Sequence, residues 1–414
     1  MTRRSYLKYA AGVVAVGAVA AAGYGAYQAT QPPPVVQTQT ATQVITATQV
    51  VTASPTVAKP KYNFYYLPPN LIEDWHIACW QGGVQFAKQV GAEFTTIDSN
   101  NDVARQIATC KTLAVLKPDG VVMIGIDLTA SSGAEILGAA GVPTIICDRD
   151  LVSDKIPLFV AFGSAAAGAQ VCDIVAQNLE KKYGSPQGEI IVSQGDLSSA
   201  PGYDRNKGFM DQLTKYPNIK LVNQHESPKF TVDTSIDRMR AALEALGHAP
   251  DAIAVHYTGA GIAAMKTLGD KGWLKKIGEE GHVIVAGIDA SPAVMGNVRN
   301  DYIEALVDQP NLSYVPLGLY YLMKIKDVGM AKAIPKPGTT VTGDDVPLAK
   351  LAPAPYNGVN PWTKSIWAPA PVVDAPDFKH PQLQCKGFMV TKDTADSDQI
   401  FGNVLPKWYP LPGT

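Results

Sequence analysis

The feature that most constrains the fold is an alternation of short apolar runs with helix-like segments between residues 62 and 328. Runs such as GVVMIGI (120–126) and HVIVAGI (282–288) have the length and apolar character of buried strands. Helix-like segments such as 102–116 and 165–183 separate them. This alternation predicts parallel sheets covered by helices on both faces, and its extent predicts two such sheets. With 414 residues, 46% of them hydrophobic, the chain is long enough for two lobes.

Charged side chains follow three of the predicted strands at the point where each strand ends. Asp127 follows GVVMIGI, Asp148 and Arg149 follow the apolar part of TIICDRD (144–150), and Asp289 follows HVIVAGI. In open α/β sheets, ligands bind outside the carboxyl ends of the strands, so we expect these side chains at a ligand site. A structural ion pair is the alternative for Asp148 and Arg149. Asp289 could instead cap a helix, and Asp127 could be a turn residue.

Composition and motifs argue against several classes of function. A net charge of −2 gives no basic surface for nucleic acid. The cysteines show no CxxC spacing and the histidines no HExxH motif, so we predict no metal site and no cofactor, and the five cysteines leave at least one thiol unpaired. GAGIAA (259–264) resembles a dinucleotide-binding turn, but it does not open the first βαβ unit, and Asp289 lies too far beyond it. No GxSxG motif indicates a hydrolase.

The first 60 residues have two distinct compositions. Arg3 and Arg4 precede a stretch, 9–29, that has no charge and is rich in Ala, Gly and Val, so residues 1–30 are predicted to be an export signal or a membrane anchor. The arginine pair resembles a twin-arginine signal, and an ordinary signal anchor is the alternative. Residues 31–60 contain the repeat ATQVIT–ATQVVT and are predicted to form an extended stalk, with a β-prone segment as the alternative.

Several short motifs then carry a resemblance to a known family. IICDRD contains an Asp-Arg pair, IDSNND (97–102) has the form of a strand and turn, and GYDRNKGF (202–209) places an Arg before Gly-Phe. Taken in their order along the chain, which is IDSNND, IICDRD and GYDRNKGF, and with their spacing, they resemble the type I periplasmic sugar-binding proteins, and within that family the ribose-binding type. The resemblance runs from about Tyr62 to Ile325 and returns near the C-terminus.

The resemblance implies a set of ligand-binding residues. Trp75 and His76 stand at the position of the family's stacking aromatics, Phe230 precedes a helix at another aromatic position, and Gln309 falls at the hinge. Together with the carboxylates that end strands, the candidates are Trp75, His76, Asp127, Asp148, Arg149, Arg205, Phe230, Tyr257, Asp289 and Gln309. Two of these residues have an alternative interpretation: Trp75 could pack in the core, and Arg205 could lie on a solvated helix face.

Sugar chemistry independently suits these residue types. A sugar has apolar faces, which planar side chains such as Trp75 and Phe230 can sandwich. Its hydroxyl edges suit charge-assisted hydrogen bonds, so Asp148 and Arg149 could bind adjacent hydroxyls while neutralising one another. The sequence also departs from the family, since His76 replaces an aromatic and Tyr257 stands where a pocket Asn is usual. A larger or differently substituted ligand than ribose is therefore expected.

The resemblance implies an α/β fold with two Rossmann-like lobes whose parallel sheets are joined by a three-strand hinge. The expected N-terminal lobe is 62–162 with 310–330, and the expected C-terminal lobe is 163–309 with 387–398. Residues 331–386 are predicted to be a Pro- and aromatic-rich insertion, and 399–414 a C-terminal tail.

The function implied is that of an extracytoplasmic solute-binding protein without enzymatic activity. It would capture a monosaccharide or related polyol and deliver it to the permease of an ABC transporter. A monomer is expected, attached to the membrane, if at all, through residues 9–29. An NAD-dependent enzyme that uses GAGIAA, and a sugar-responsive regulator or receptor of the same fold, are the alternatives. A transcription regulator would need a helix-turn-helix head where this chain has its predicted signal.

Overall fold

The computed structural model describes residues 61–409. The predicted signal or anchor (1–30), the predicted stalk (31–60) and the last five residues of the predicted tail lie outside the described residues. In the first half of the described chain, the elements are β1 (Tyr62–Leu67), α1 (Asp74–Gln89), β2 (Ala92–Thr96), α2 (Val103–Leu116), β3 (Gly120–Met123), α3 (Ser131–Ala139), β4 (Thr144–Cys147), β5 (Phe159–Phe162), α4 (Ser164–Tyr183), β6 (Gly188–Ser193), α5 (Ala200–Leu213) and β7 (Ile219–His225). The second half contains α6 (Val232–Leu246), β8 (Ala252–Val255), α7 (Thr258–Asp270), β9 (Ile284–Ile288), α8 (Pro292–Arg299), β10 (Ala305–Asp308), α9 (Asn311–Val328), α10 (Met330–Ala333), β11 (Thr340–Val341), α11 (Leu348–Leu351), β12 (Ala370–Ala375), β13 (His380–Cys385), β14 (Phe388–Val390) and α12 (Phe401–Trp408).

Two sheets organise these elements. The first has the order β11-β12-β13-β5-β4-β3-β1-β2. Its six strands from β13 to β2 are parallel to one another, whereas β12 pairs antiparallel with both β13 and β11. The second has the order β14-β10-β9-β8-β6-β7, parallel except for β14. We call the first sheet with its helices lobe 1, and the second sheet with its helices lobe 2. The predicted α/β fold with two mostly parallel sheets is confirmed.

Local sequence explains how the helices begin and end next to these strands. In IDSNND, the Asp102 carboxylate accepts hydrogen bonds from the backbone N–H groups of Ala104 and Arg105, at 2.9 and 3.1 Å, and so caps α2. Helix α4 ends at Tyr183 and is followed by Gly184, whose φ of 76° is a conformation that glycine adopts without a steric penalty. Strands β3, β4, β8, β9 and β10 are buried along their whole length, as expected for parallel strands between helical layers.

The chain passes between the sheets three times. It leaves β5 of lobe 1 for α4 of lobe 2 at Gly163, and leaves β10 of lobe 2 for α9 of lobe 1 between Asp308 and Asn311. It then returns from β13 to β14 through Lys386 and Gly387. These three short crossings form the hinge.

Residues 331–386 extend the sheet of lobe 1. Strand β13 pairs in parallel with β5, and Gln382 lies opposite Phe159. Asp150, the last residue of TIICDRD, accepts hydrogen bonds from His380 Nε2 at 2.7 Å and from Gln382 Nε2 at 2.6 Å. All three side chains are buried, so this polar cluster attaches β13 to the loop after β4.

Three further properties bear on function. No helix between residues 61 and 409 is both long and apolar enough to cross a bilayer. All five cysteines are buried and unpaired. In the same range, no three His, Cys, Asp or Glu side chains are placed to hold a metal ion together.

Candidate ligand-binding cavity

A cavity of about 270 Å³ lies between the lobes, at the carboxyl ends of strands from both sheets. Residues after β4 and β9 contribute carboxylates, and the first turn of α1 contributes aromatic rings. Nine of the ten candidate residues from the sequence line this cavity: Trp75, His76, Asp148, Arg149, Arg205, Phe230, Tyr257, Asp289 and Gln309.

Asp127 is the candidate that the structure does not place on the cavity wall. Its carboxylate accepts a hydrogen bond from the backbone N–H of Thr129 at 2.8 Å and caps the short 3-10 helix Leu128–Ala130. The alternative of a turn residue therefore describes its position in this structure.

Asp148 and Arg149 form an ion pair on the wall provided by lobe 1. Arg149 Nε lies 3.7 Å from Asp148 Oδ2, a distance beyond a hydrogen bond, and Arg149 Nη1 donates to the carbonyl of Ile126 at 3.4 Å. Burial raises the pKa of Asp148, while the positive charges of Arg149 and Arg205 act in the opposite direction. Asp148 has a φ of 60°, a left-handed conformation that Asp tolerates better than most residues.

Asp289 and Arg205 form a second pair on the wall provided by lobe 2. Arg205 Nη1 lies 3.8 Å from Asp289 Oδ2 and donates a hydrogen bond to the carbonyl of His256 at 2.8 Å. Arg205 is 3% exposed, so it does not lie on a solvated helix face. Burial raises the pKa of Asp289, and Arg205 and the Gln309 amide oppose that rise.

Gln309 positions Asp289. Its Nε2 donates to Asp289 Oδ1 at 2.7 Å, and its Oε1 accepts a hydrogen bond from the hydroxyl of Tyr314 at 3.1 Å. Because Gln309 belongs to the second hinge crossing, the orientation of the Asp289 carboxylate is linked to the hinge.

Trp75 and His76 form an edge-to-face pair at the start of α1. Their ring centroids are 5.1 Å apart with an interplanar angle of 85°, and Trp75 also packs against Tyr314. Burial, and then the nearby charge of Arg149, hold the pKa of His76 well below its usual value. His76 is therefore a neutral imidazole at the cavity wall.

Phe230 and Tyr257 form the aromatic wall of lobe 2. Their rings meet edge to face, with centroids 5.2 Å apart. The Tyr257 hydroxyl donates to the carbonyl of Thr231 and contacts Ser235 Oγ, so the polar end of this side chain is satisfied within lobe 2 and its ring lines the cavity. Phe230 has a φ of 54°, an unusual and strained conformation for an aromatic residue. Its ring lies 5.9 Å from the guanidinium of Arg149, a cation–π contact between the two lobes.

The cavity also contains residues that the sequence did not nominate: Glu73, Asp74, Pro201, Val232, Thr258, Gly259 and Ile262. Burial, together with the negative charges of Asp289 and Glu73, raises the pKa of Asp74 to about 6, and the backbone N–H of Trp75 opposes this rise. Asp74 directly precedes Trp75 and His76, so the sequence did place a carboxylate next to two candidate residues. Asp is common in the first turn of a helix, however, because its negative charge interacts favourably with the helix dipole, so its presence there did not indicate a ligand site.

One glycine of GAGIAA, Gly259, has a packing role in this structure. A Cβ on Gly259 would lie 2.5 Å from the ring of Tyr257, so a side chain there would displace an aromatic wall of the cavity. A Cβ on Gly261 would touch Val294 at 3.4 Å. Close packing thus accounts for Gly259, whereas the contact at Gly261 is an ordinary van der Waals distance that a side chain could tolerate.

Comparisons with known proteins agree with this architecture. A family model described as a periplasmic binding protein domain matches residues 64–328. A xylitol-binding protein of Mycolicibacterium smegmatis is 26% identical over 226 residues, which cover 54% of this chain and 61% of that protein, less than two thirds of its length. A D-apiose import binding protein of Actinobacillus succinogenes is 24% identical over 247 residues, covering 58% of this chain and 75% of that protein.

Solved structures show the same fold at low sequence identity. A galactofuranose binding protein superposes with a TM-score of 0.62 at 16% identity, covering 82% of this chain and 97% of the other. An ABC transporter solute binding protein of Actinobacillus succinogenes, solved with bound D-allose, gives a TM-score of 0.61 at 16% identity and covers 81% of this chain and 99% of the other.

Proposed function

The chain belongs to the periplasmic binding protein family, and from this premise we propose that it binds a monosaccharide or related polyol between its lobes for delivery to an ABC importer. The observation that carries the proposal is the pairing of a carboxylate with a guanidinium on each wall, Asp148 with Arg149 and Asp289 with Arg205. Each pair places hydrogen-bond acceptors beside donors, which is the arrangement that adjacent hydroxyl groups need.

The size of the cavity supports a small ligand. Its volume of about 270 Å³ lies near the lower end of the roughly 300–1,000 Å³ found for small-molecule sites. A single sugar ring or a short polyol suits this space better than an oligosaccharide. The xylitol and D-apiose named for two relatives belong to this size class.

The family supports a location outside the cytoplasm and an ABC transporter as partner. Periplasmic binding proteins act outside the cytoplasm, and we propose that this chain is exported through residues 1–30, acts without catalysis and is a monomer that docks on a permease. Replacing Arg3 and Arg4 together by Lys should block export if a twin-arginine receptor reads the pair, because that receptor does not read charge alone. Normal export of the double variant would instead indicate a general secretory signal.

A ligand screen on the full chain tests the proposed function. Thermal melts would be recorded with pentoses, hexoses, pentitols, hexitols, nucleosides and NAD, followed by titration calorimetry on each hit. A ligand at 100 times its Kd should stabilise the folded chain by about 2.7 kcal/mol. Stabilisation by NAD alone would favour the enzyme, and a screen without any sugar or polyol hit would contradict the proposal.

A further inference from the structure

The cavity carries more acidic than basic side chains. Its carboxylates belong to Glu73, Asp74, Asp148 and Asp289, and its guanidinium groups to Arg149 and Arg205. His76 adds no positive charge, because burial keeps its imidazole neutral. The wall is therefore net negative when all four carboxylates are ionised.

Asp74 is the carboxylate that lacks a compensating charge. Asp148 and Asp289 each face an arginine at less than 4 Å, and Glu73 is exposed at the rim, where Asn70 donates a hydrogen bond to it. Two charged groups influence the pKa of Asp74, namely Asp289 from lobe 2 and the neighbouring residue Glu73, and both are negative. Within residues 61–409, its compensation is limited to the backbone N–H of Trp75.

Other wall residues also have polar atoms left unsatisfied. Trp75 Nε1, His76 Nδ1 and Arg205 Nε are buried and have no hydrogen-bond partner in the described part of the chain. His76 and Arg205 are 1% and 3% exposed. Buried polar atoms without partners are costly, so their clustering in residues that line a cavity points to a polar ligand.

An unpaired carboxylate that is partly removed from water is unfavourable, and a positive charge on the ligand would offset that cost. We propose that Asp74 binds an ammonium group, so that the cavity takes amine-bearing polyols such as amino sugars more tightly than their neutral parents, and sugar acids least tightly. This inference rests on the proposed polyol-binding function and specifies the ligand class of the same cavity.

Two matched ligand sets test this preference. The first set is D-glucose, D-glucosamine and D-glucuronate, and the second is sorbitol, glucamine and gluconate, each titrated calorimetrically into the full chain at pH 7.0 and pH 5.0. At pH 7.0, the amine of at least one set should bind tenfold or more tightly than its neutral parent, and the acid should bind most weakly. At pH 5.0, the advantage of the amine should fall to about twofold as Asp74 becomes protonated.

Two variants separate Asp74 from general electrostatics. Asp74→Asn should abolish the amine advantage at pH 7.0. Glu93→Gln, an exposed position on β2 outside the cavity, changes the net charge equally and should retain the advantage. An amine that binds no more tightly than its parent, or an advantage that survives Asp74→Asn, would overturn the inference.

The outcomes also distinguish this inference from the proposed function. If neutral sugars bind and amines show no gain, the inference fails and the function stands. If amines bind while every neutral sugar and polyol fails, the inference stands and the neutral-ligand function fails. If all six compounds fail while the wider screen yields another neutral ligand, the inference is again overturned. If no compound binds in either experiment, the inference and the proposed function are both overturned.

Discussion

Asp148 Oδ2 and Arg149 Nε form an ion pair at 3.7 Å, a distance too long for a hydrogen bond. Both side chains can therefore still form hydrogen bonds with hydroxyl groups of a ligand. Asp148→Asn should weaken ligand binding by about 1.5–3 kcal/mol, roughly ten- to a hundredfold, by removing charge-assisted hydrogen bonds. Asn also tolerates the φ of 60° at this position. Titration calorimetry with the sugar or polyol that the screen identifies measures this loss.

The same variant makes a separate prediction for the unliganded protein. Burial raises the folded-state pKa of Asp148 above its unfolded value, so the stability associated with its protonated form is lost as the pH rises. At pH 7.5, Asp148→Asn should therefore leave the melting temperature unchanged or raise it, whereas Arg149→Gln should lower it by leaving a buried carboxylate unpaired. Near wild-type affinity with a strongly lowered melting temperature in both variants would mean that the pair is only structural.

Asp74 should limit stability at neutral pH. Its pKa rises from 3.8 to about 6 on folding, so the folded state binds more protons between these values and loses stability as the pH increases through this window. Asp74→Asn should raise the free energy of unfolding at pH 7.5 by about 1–3 kcal/mol, given roughly 1.4 kcal/mol per pKa unit. Thermal melts from pH 4 to 8 check this, with Glu93→Gln as control. Parallel pH profiles for the wild type and Asp74→Asn would contradict it.

The sequence alone identified those site residues whose position depends only on where a single strand ends. Asp148 and Asp289 end buried strands, and the carboxyl ends of parallel strands predict a site without any tertiary contact. Asp127 fulfils the same rule but caps a 3-10 helix, because Thr129 lies within reach of its carboxylate. The pairing of Asp289 with Arg205 could not be predicted, since the two residues lie on different elements of lobe 2.

At the scale of secondary structure elements, most of the main strands were predictable because they contain a short apolar run bounded by turn residues. The strands within 331–386 were not, since β13 (HPQLQC) is polar and is defined by its pairing with β5. The structural role of Asp150 was hidden for the same reason, as its partners His380 and Gln382 lie far away in sequence.

The Asp150 cluster should stabilise the attachment of β13. His380→Ala removes one partner from a carboxylate that is fully buried, so it should cost about 3–5 kcal/mol of unfolding free energy. Chemical denaturation of the full chain measures the loss. Asp374→Asn, at an exposed position on the neighbouring strand β12, should change stability by less than about 0.5 kcal/mol. Equal effects of the two variants would show that the cluster contributes nothing specific.

At the scale of the whole molecule, the cavity is lined by residues from both lobes. Arg149 of lobe 1 lies over the Phe230 ring of lobe 2, and Trp75 and His76 are almost fully buried. A ligand in this cavity lies against both lobes, so a separation of the lobes would free one side of it. The three short crossings at Gly163, Asp308–Asn311 and Lys386–Gly387 are the segments where the backbone can bend to allow this separation.

Ligand binding should therefore shift the protein from an open to a closed form. Small-angle X-ray scattering should give a smaller radius of gyration with saturating sugar or polyol than without it, because both walls contact the ligand only when the lobes are together. Phe230→Ala removes the interlobe cation–π contact, worth about 0.5–2 kcal/mol, and should weaken binding while leaving the scattering of the ligand-free protein unchanged. Tyr183→Ala, which removes a partly exposed aromatic ring on α4 outside the cavity, should bind and close as the wild type does. Identical scattering curves with and without saturating ligand would exclude closure by hinge bending.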